Sequence, residues 1–127
     1  MKKILLVEDD ELIYSVISRA IVDGGFEVVG AHDGDSVVPL ATENKPDLIL
    51  LDVILPGKSG FEILEALKAD PALKAIPVMM LSNLGQPADV KRAKDAGAID
   101  YMVKANFEPR DVVAKVHGLL GDATPKA

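Results

Sequence analysis

Cysteine is absent from this 127-residue chain. That excludes disulfides, thiolate metal sites and a cysteine nucleophile, and a disulfide-free domain suits the cytosol. Long apolar runs are also missing. None approaches the ~20 residues needed to cross a bilayer. The opening Met1-Lys2-Lys3-Ile4-Leu5-Leu6-Val7-Glu8 has an apolar stretch that is short and closed by acids, so it does not read as a signal peptide. Positive charge is in the minority: Lys plus Arg number 14 against 20 Asp plus Glu, a net charge of −6. That argues against gripping nucleic acid or an anionic membrane by bulk charge, and it is compatible with binding a cation. There are two histidines, His32 and His117, both expected at surface or boundary positions away from any functional rim.

What is present describes one ordinary globular domain. Residues of the AVILMFWYC set make up 49% and charged residues 27%, and a chain of this size buries about two thirds of its surface on folding. Short apolar runs alternate with longer amphipathic stretches. The runs are Ile4–Val7, a weaker Phe26–Val29, Leu48–Leu51, Val78–Leu81 and Ile99–Val103. Nearly continuous runs suit strands covered on both faces, as in a parallel sheet. Between them lies helical periodicity. Leu12, Ile13, Val16, Ile17, Ala20 and Ile21 share a face that Gly24-Gly25 stops. A weaker helix is expected over 35–44, with Pro39 in or near its first turn. Ser59 and Glu62 have capping-box spacing ahead of Phe61, Leu64 and Leu67, and Asp70-Pro71 ends that helix. Pro87 opens a helix that closes at Gly97, and Pro109 opens a last one that closes at Gly121. The expectation is a (βα)5 domain over 1–121 with a short flexible tail at 122–127. Its sheet is parallel and doubly wound, with right-handed crossovers. Functional residues should gather at the carboxyl ends of the strands.

Those ends carry chemistry. Strand 1 runs into Glu8-Asp9-Asp10-Glu11, strand 3 into Asp52, strand 4 into Ser82-Asn83 and strand 5 into Lys104. Asp10 and Glu11 are read as helix cap and first-turn acid. Asp52 resists that explanation, because it sits inside an otherwise apolar segment and a buried carboxylate needs a partner or a task. If Glu8, Asp9 and Asp52 converge, each pair at 4 Å repels by about 4 kcal/mol at an effective dielectric of 20. A cation is then required, and an all-oxygen donor set favours Mg²⁺, Mn²⁺ or Ca²⁺ over zinc. With Lys104 and a hydroxyl on the same rim, these are the parts of a phosphoryl-transfer site.

Four segments carry a resemblance: Val7-Glu8-Asp9-Asp10, Asp47 through Asp52 to Gly60, Met80-Leu81-Ser82, and Asp100-Tyr101-Met102-Val103-Lys104. In this order, each at the end of its own strand, they resemble the receiver domain of two-component response regulators over about residues 2–120. The resemblance implies a flavodoxin-like fold with strand order 2-1-3-4-5. It implies Asp52 as phosphoacceptor and Mg²⁺, with Mn²⁺ as a substitute, as cofactor. The metal would be held by Glu8, Asp9, Asp52 and the main-chain carbonyl of Ile54. Lys104 and Ser82 would contact the phosphoryl group, and Tyr101 would swing inward behind Ser82, switching the face built from helix 4, strand 5 and helix 5. The implied donor is a phosphohistidine of a histidine kinase or phosphotransfer protein, and the implied output is binding of an unidentified protein or a phosphorelay. Such a domain is a cytoplasmic signalling phosphoacceptor, monomeric or dimerising on phosphorylation, that assists its own modification without being an enzyme in the usual sense. A stand-alone receiver without direct nucleic-acid or membrane contact is expected.

Three departures from the family pattern stand out. Ala105 replaces the usual proline after the lysine, so either a cis bond or a rearranged trans loop is expected. Asn83 stands where a small residue is common. The segment Asn106-Phe107-Glu108-Pro109 is one residue longer than usual. Competing readings are a phosphorylation-independent docking module and a Mg²⁺-dependent phosphatase. The latter needs a second acid two residues after the nucleophile, where this chain has Ile54. A P-loop is suggested by Gly57-Lys58-Ser59, but the motif needs glycine at position 52. Ser59 is better read as a helix cap.

Overall fold

A computed structural model of the chain describes residues 1–83 and 85–121. The tail expected at 122–127 lies outside the described residues. Five strands and five helices alternate: β1 (Lys3–Val7), α1 (Glu11–Asp23), β2 (Glu27–Ala31), α2 (Val37–Asn44), β3 (Leu48–Leu51), α3 (Gly60–Ala69), β4 (Val78–Ser82), α4 (Pro87–Asp95), β5 (Asp100–Val103) and α5 (Pro109–Leu120), with a 3-10 turn at Lys104–Asn106 before α5. The sheet order is β2-β1-β3-β4-β5, and every pairing is parallel.

The continuous apolar runs have a direct cause. Successive strand residues point to opposite faces, and both faces are covered. Leu5, Val7, Ile49, Leu51, Val78 and Met80 face α2, α3 and α4, packing with Ala41, Leu64, Leu67 and Ala93. Ile4, Leu6, Leu48, Leu50, Met79 and Leu81 face α1 and α5, packing with Ile17, Ile21, Val112 and Val116. The weaker second run belongs to an edge strand, where three of five residues are only half-buried.

The capping signals fall where expected. Asp10 caps α1 by accepting from the N–H groups of Leu12 and Ile13 at 2.9 and 3.0 Å. Ser59 and Glu62 form a reciprocal capping box on α3. Gly97 and Gly121 follow α4 and α5 with φ of 110° and 78°, conformations in which any other residue is strained. Four expectations need correction. The second strand spans Glu27–Ala31, and Phe26 is a core residue ahead of it. The second helix starts at Val37, because the Asp33 carboxylate takes both the N–H and the hydroxyl of Ser36 at 2.8 Å and holds 33–36 as a turn. β5 starts at Asp100, leaving Ile99 45% exposed. On α1, Ile17 and Ile21 meet the sheet, whereas Leu12 and Val16 are 74% and 45% exposed. They form a second row, rotated about 100° from the first, that the sheet does not reach.

Candidate functional site

The carboxyl ends of β1, β3, β4 and β5 share one rim. Glu8 is the first residue past β1 and Asp52 the first past β3; both are buried, while Asp9 is exposed. One carboxylate oxygen from each of the three lies within 4.8 Å of the others. At that separation and an effective dielectric of 20, each pair repels by about 3.5 kcal/mol. Lys104 relieves part of this. Its ammonium lies 2.8 Å from Asp52 Oδ2 and also bonds to Glu8 Oε1. The second oxygens are satisfied by backbone: Asp52 Oδ1 accepts from Ile54 N–H at 3.2 Å, and Glu8 Oε2 from Asp10 N–H at 3.3 Å.

Lys104 thus bonds to two of the three carboxylates, Glu8 and Asp52. Burial pushes the Glu8 carboxyl above its ordinary value, and Lys104 draws part of that back. Burial works against the Lys104 charge, but the hydrogen bonds to Asp52 and Glu8 outweigh it and hold the ammonium above its ordinary value. The remaining negative charge, the oxygen-only donors and the exposed Asp9 fit a hard divalent cation. Glu8, Asp9 and Asp52 are the residues that can hold one. The fourth expected ligand, the Ile54 carbonyl, belongs to an exposed residue two positions past Asp52.

Ser82, the last residue of β4, is fully buried, and its side chain is hydrogen bonded to Tyr101 on β5. Burial raises the Tyr101 phenol above its ordinary value, and the bond to Ser82 offsets some of that. The hydroxyl expected to move inward thus already meets Ser82. The Lys104–Ala105 bond is trans, and there is no cis peptide among the described residues. The loop is therefore the rearranged trans form, wound as the 3-10 turn Lys104–Asn106. Lys104 still reaches Asp52, so the alanine does not cost the lysine its contact. The longer entry leaves α5 starting at Pro109, with the Asp111 carboxylate accepting from the Glu108 N–H at 2.8 Å. Beside Lys104 an open groove of about 370 Å³ runs between α1 and this turn, lined by Leu12, Val16, Leu81, Asn83 and Phe107.

Two residues of the site escaped the sequence. Gly60 opens α3 directly against the end of β3: a Cβ there would lie 2.2 Å from the Asp52 carbonyl oxygen. His32 corrects the expectation that it lies off the rim. β2 runs on to Ala31, which puts His32 next in line, with Nδ1 3.0 Å from the Glu8 carbonyl oxygen.

The response regulator receiver domain model matches residues 4–117, and the chain belongs to this family. It is 38% identical to the phosphate regulon transcriptional regulatory protein PhoB of Escherichia coli over 126 residues, 99% of this chain and 55% of that protein. The chain spans about half the length of the curated relatives it matches. Among solved structures it resembles the chemotaxis response regulator CheY4 of Vibrio cholerae, with TM-score 0.87 and 31% identity over 94% of this chain and 99% of that one. The Mn²⁺-bound form of response regulator Rcp1 gives TM-score 0.84 and 26% identity over 98% of both. Receiver domains are signalling phosphoacceptors that bind a divalent metal. No helix among the described residues is long and apolar enough to cross a membrane.

Proposed function

We propose that this domain accepts a phosphoryl group on Asp52 from the phosphohistidine of a histidine kinase or phosphotransfer protein, in a cytoplasmic relay. The observation that carries this reading is the convergence of Glu8, Asp9 and Asp52, with the Lys104 ammonium bonded to Glu8 and Asp52. An Asp52 carboxylate oxygen attacks phosphorus, the P–N bond breaks, and the imidazole leaves with its electron pair and takes a proton from solvent. Bound Mg²⁺, with Mn²⁺ as a substitute, supplies neutralising charge for the phosphoryl oxygens. Lys104 supplies a second, fixed positive charge, already 2.8 Å from Asp52. Ser82 donates its hydroxyl to a phosphoryl oxygen, giving up its bond to Tyr101. The rearranged Ser82–Tyr101 pair biases the face of α4, β5 and α5 toward partner binding or onward transfer.

The apolar groove beside Lys104 is the seat for the phosphohistidine-bearing partner, because Lys104 and Asn83 line it and Lys104 touches Asp52. The same geometry disfavours a phosphatase. The residue two beyond the nucleophile is an exposed isoleucine, which cannot protonate a leaving group. Incubation with acetyl phosphate, with and without Mg²⁺, followed by intact-mass measurement tests the proposal. Gain of one phosphoryl group only when Mg²⁺ is present supports it. No gain, or an equal gain without metal, contradicts it.

A further inference from the structure

The segment between β2 and α2 touches both halves of the cation site without contributing a ligand. The Glu8 main chain is gripped twice by β2 and its continuation. Its N–H donates to the Ala31 carbonyl at 2.9 Å, and its carbonyl meets His32 Nδ1 at 3.0 Å. A carbonyl only accepts, so Nδ1 carries the proton. The ring is steadied edge-on by Tyr14, with centroids 4.7 Å apart. Two residues further on, Gly34 N–H donates to the Pro56 carbonyl at 3.2 Å, two residues past Ile54. Gly34 is buried there: a methyl group would lie 3.0 Å from Ile63 Cδ1, Lys58 Cβ and the Lys58 carbonyl oxygen. The turn carrying the second anchor is held in shape by Asp33, whose carboxylate accepts twice from Ser36. Because the sheet order is β2-β1-β3, this loop straddles the end of β1 and lands on the loop that follows β3.

We propose that residues 32–36 form a brace setting the distance between the acid pair on β1 and the Ile54-bearing loop on β3, with His32 and Gly34 as positioning residues for cation binding. The inference rests on the reading of Glu8, Asp9, Asp52 and Ile54 as the metal site. A contact on each of two separate ligand-bearing segments, one from the exposed His32 and one from the buried Gly34, favours one spacing of the donors, and a site pre-set in this way loses less freedom on binding. The exposed Lys58–Asp35 pair at 4.0 Å joins the same loops, but it is too solvated to matter.

The test is a Mn²⁺ titration read by the electron paramagnetic resonance of free Mn²⁺, with circular dichroism to follow folding and stability. His32→Ala and Gly34→Ala are expected to weaken Mn²⁺ binding by about two- to tenfold, the effect of losing one positioning hydrogen bond. His32→Asn places an N–H donor at the same reach and should restore most of the affinity. Thr42→Ala, at an exposed position on α2 outside the brace, should bind as the unaltered chain does. If Gly34→Ala fails to fold, the His32→Ala and His32→Asn pair decides. A brace is overturned if His32→Ala binds with unaltered affinity, if His32→Asn binds as weakly as His32→Ala, or if the variants lose only thermal stability. Absence of Mn²⁺ binding by the unaltered chain overturns the metal reading itself and the brace with it.

Discussion

Replacing Asp9 by asparagine should stabilise the metal-free protein. Asp9 is exposed and belongs to a triad whose oxygens lie within 4.8 Å of one another, with Lys104 bonded to the other two members. Even at the dielectric of bulk water, two such repulsions amount to about 0.9 kcal/mol each. Residual attraction to Lys104 offsets part of this, so the expected gain is on the order of 1 kcal/mol. Metal should reverse the ranking. Binding at a hundred times Kd adds about 2.7 kcal/mol to the unaltered chain, whereas the variant has lost a donor and should gain less than about half of that. The assay is urea unfolding followed by far-ultraviolet circular dichroism, since the chain has no tryptophan, at zero and at saturating Mg²⁺. The reasoning is refuted if the variant is less stable than the unaltered chain without Mg²⁺, or if both gain equally from it.

Three further outcomes follow from the same structure. Gly60→Ala should cost about 2–4 kcal/mol in urea unfolding, because its methyl would lie 2.2 Å from the Asp52 carbonyl and would break the 2.7 Å Gly60 N–H bond to Val53. Burial raises the Asp100 carboxyl, but the Lys115 ammonium 2.7 Å away, the Tyr101 N–H and Lys94 together outweigh it, and the net shift is downward from its ordinary value. A depressed carboxyl stabilises the fold above its unfolded value and loses that contribution as pH falls through its folded value. Asp100→Asn should therefore flatten the stability curve below about pH 4, by no more than roughly 1 kcal/mol for a pair this exposed. Leu12→Ser combined with Phe107→Ser should slow transfer from a phosphohistidine donor while leaving modification by acetyl phosphate within about twofold, since the groove is apolar surface beside the site and no ligand to it.

Strand ends were easier to read than helix faces. The apolar runs of β1, β3 and β4 are continuous because both faces of a central strand are buried, and Asp52 stood out because it interrupts such a run. β2 was read two residues short because an edge strand is half-exposed and its pattern fades. A strand ending at Val29 leaves His32 off the rim, whereas a strand reaching Ala31 brings its ring to Glu8. Leu12 and Val16 obey the same periodicity as Ile17 and Ile21, so sequence alone places all of them on one face. Only the reach of the sheet separates them. Nothing in the sequence explains Gly60, which closes the Asp47–Gly60 segment, because its close neighbour is the backbone of a different element. The bond from Lys104 to Glu8 joins residues 96 positions apart, a separation at which residue type suggests a pairing but not its geometry.

Phosphorylation of Asp52 leaves a chemical signature that other modifications do not. An acyl phosphate is reduced by borohydride to a primary alcohol, which converts the aspartate to homoserine, whereas phosphate esters of serine or tyrosine are untouched. The domain should be incubated with a phosphohistidine donor and Mg²⁺, reduced with borohydride, digested and sequenced by mass spectrometry. Homoserine at position 52, absent when metal is withheld, is the predicted result. Homoserine at another aspartate, or phosphate recovered on Ser82 or Tyr101 with position 52 unchanged, would contradict the assignment of Asp52 as the phosphoacceptor.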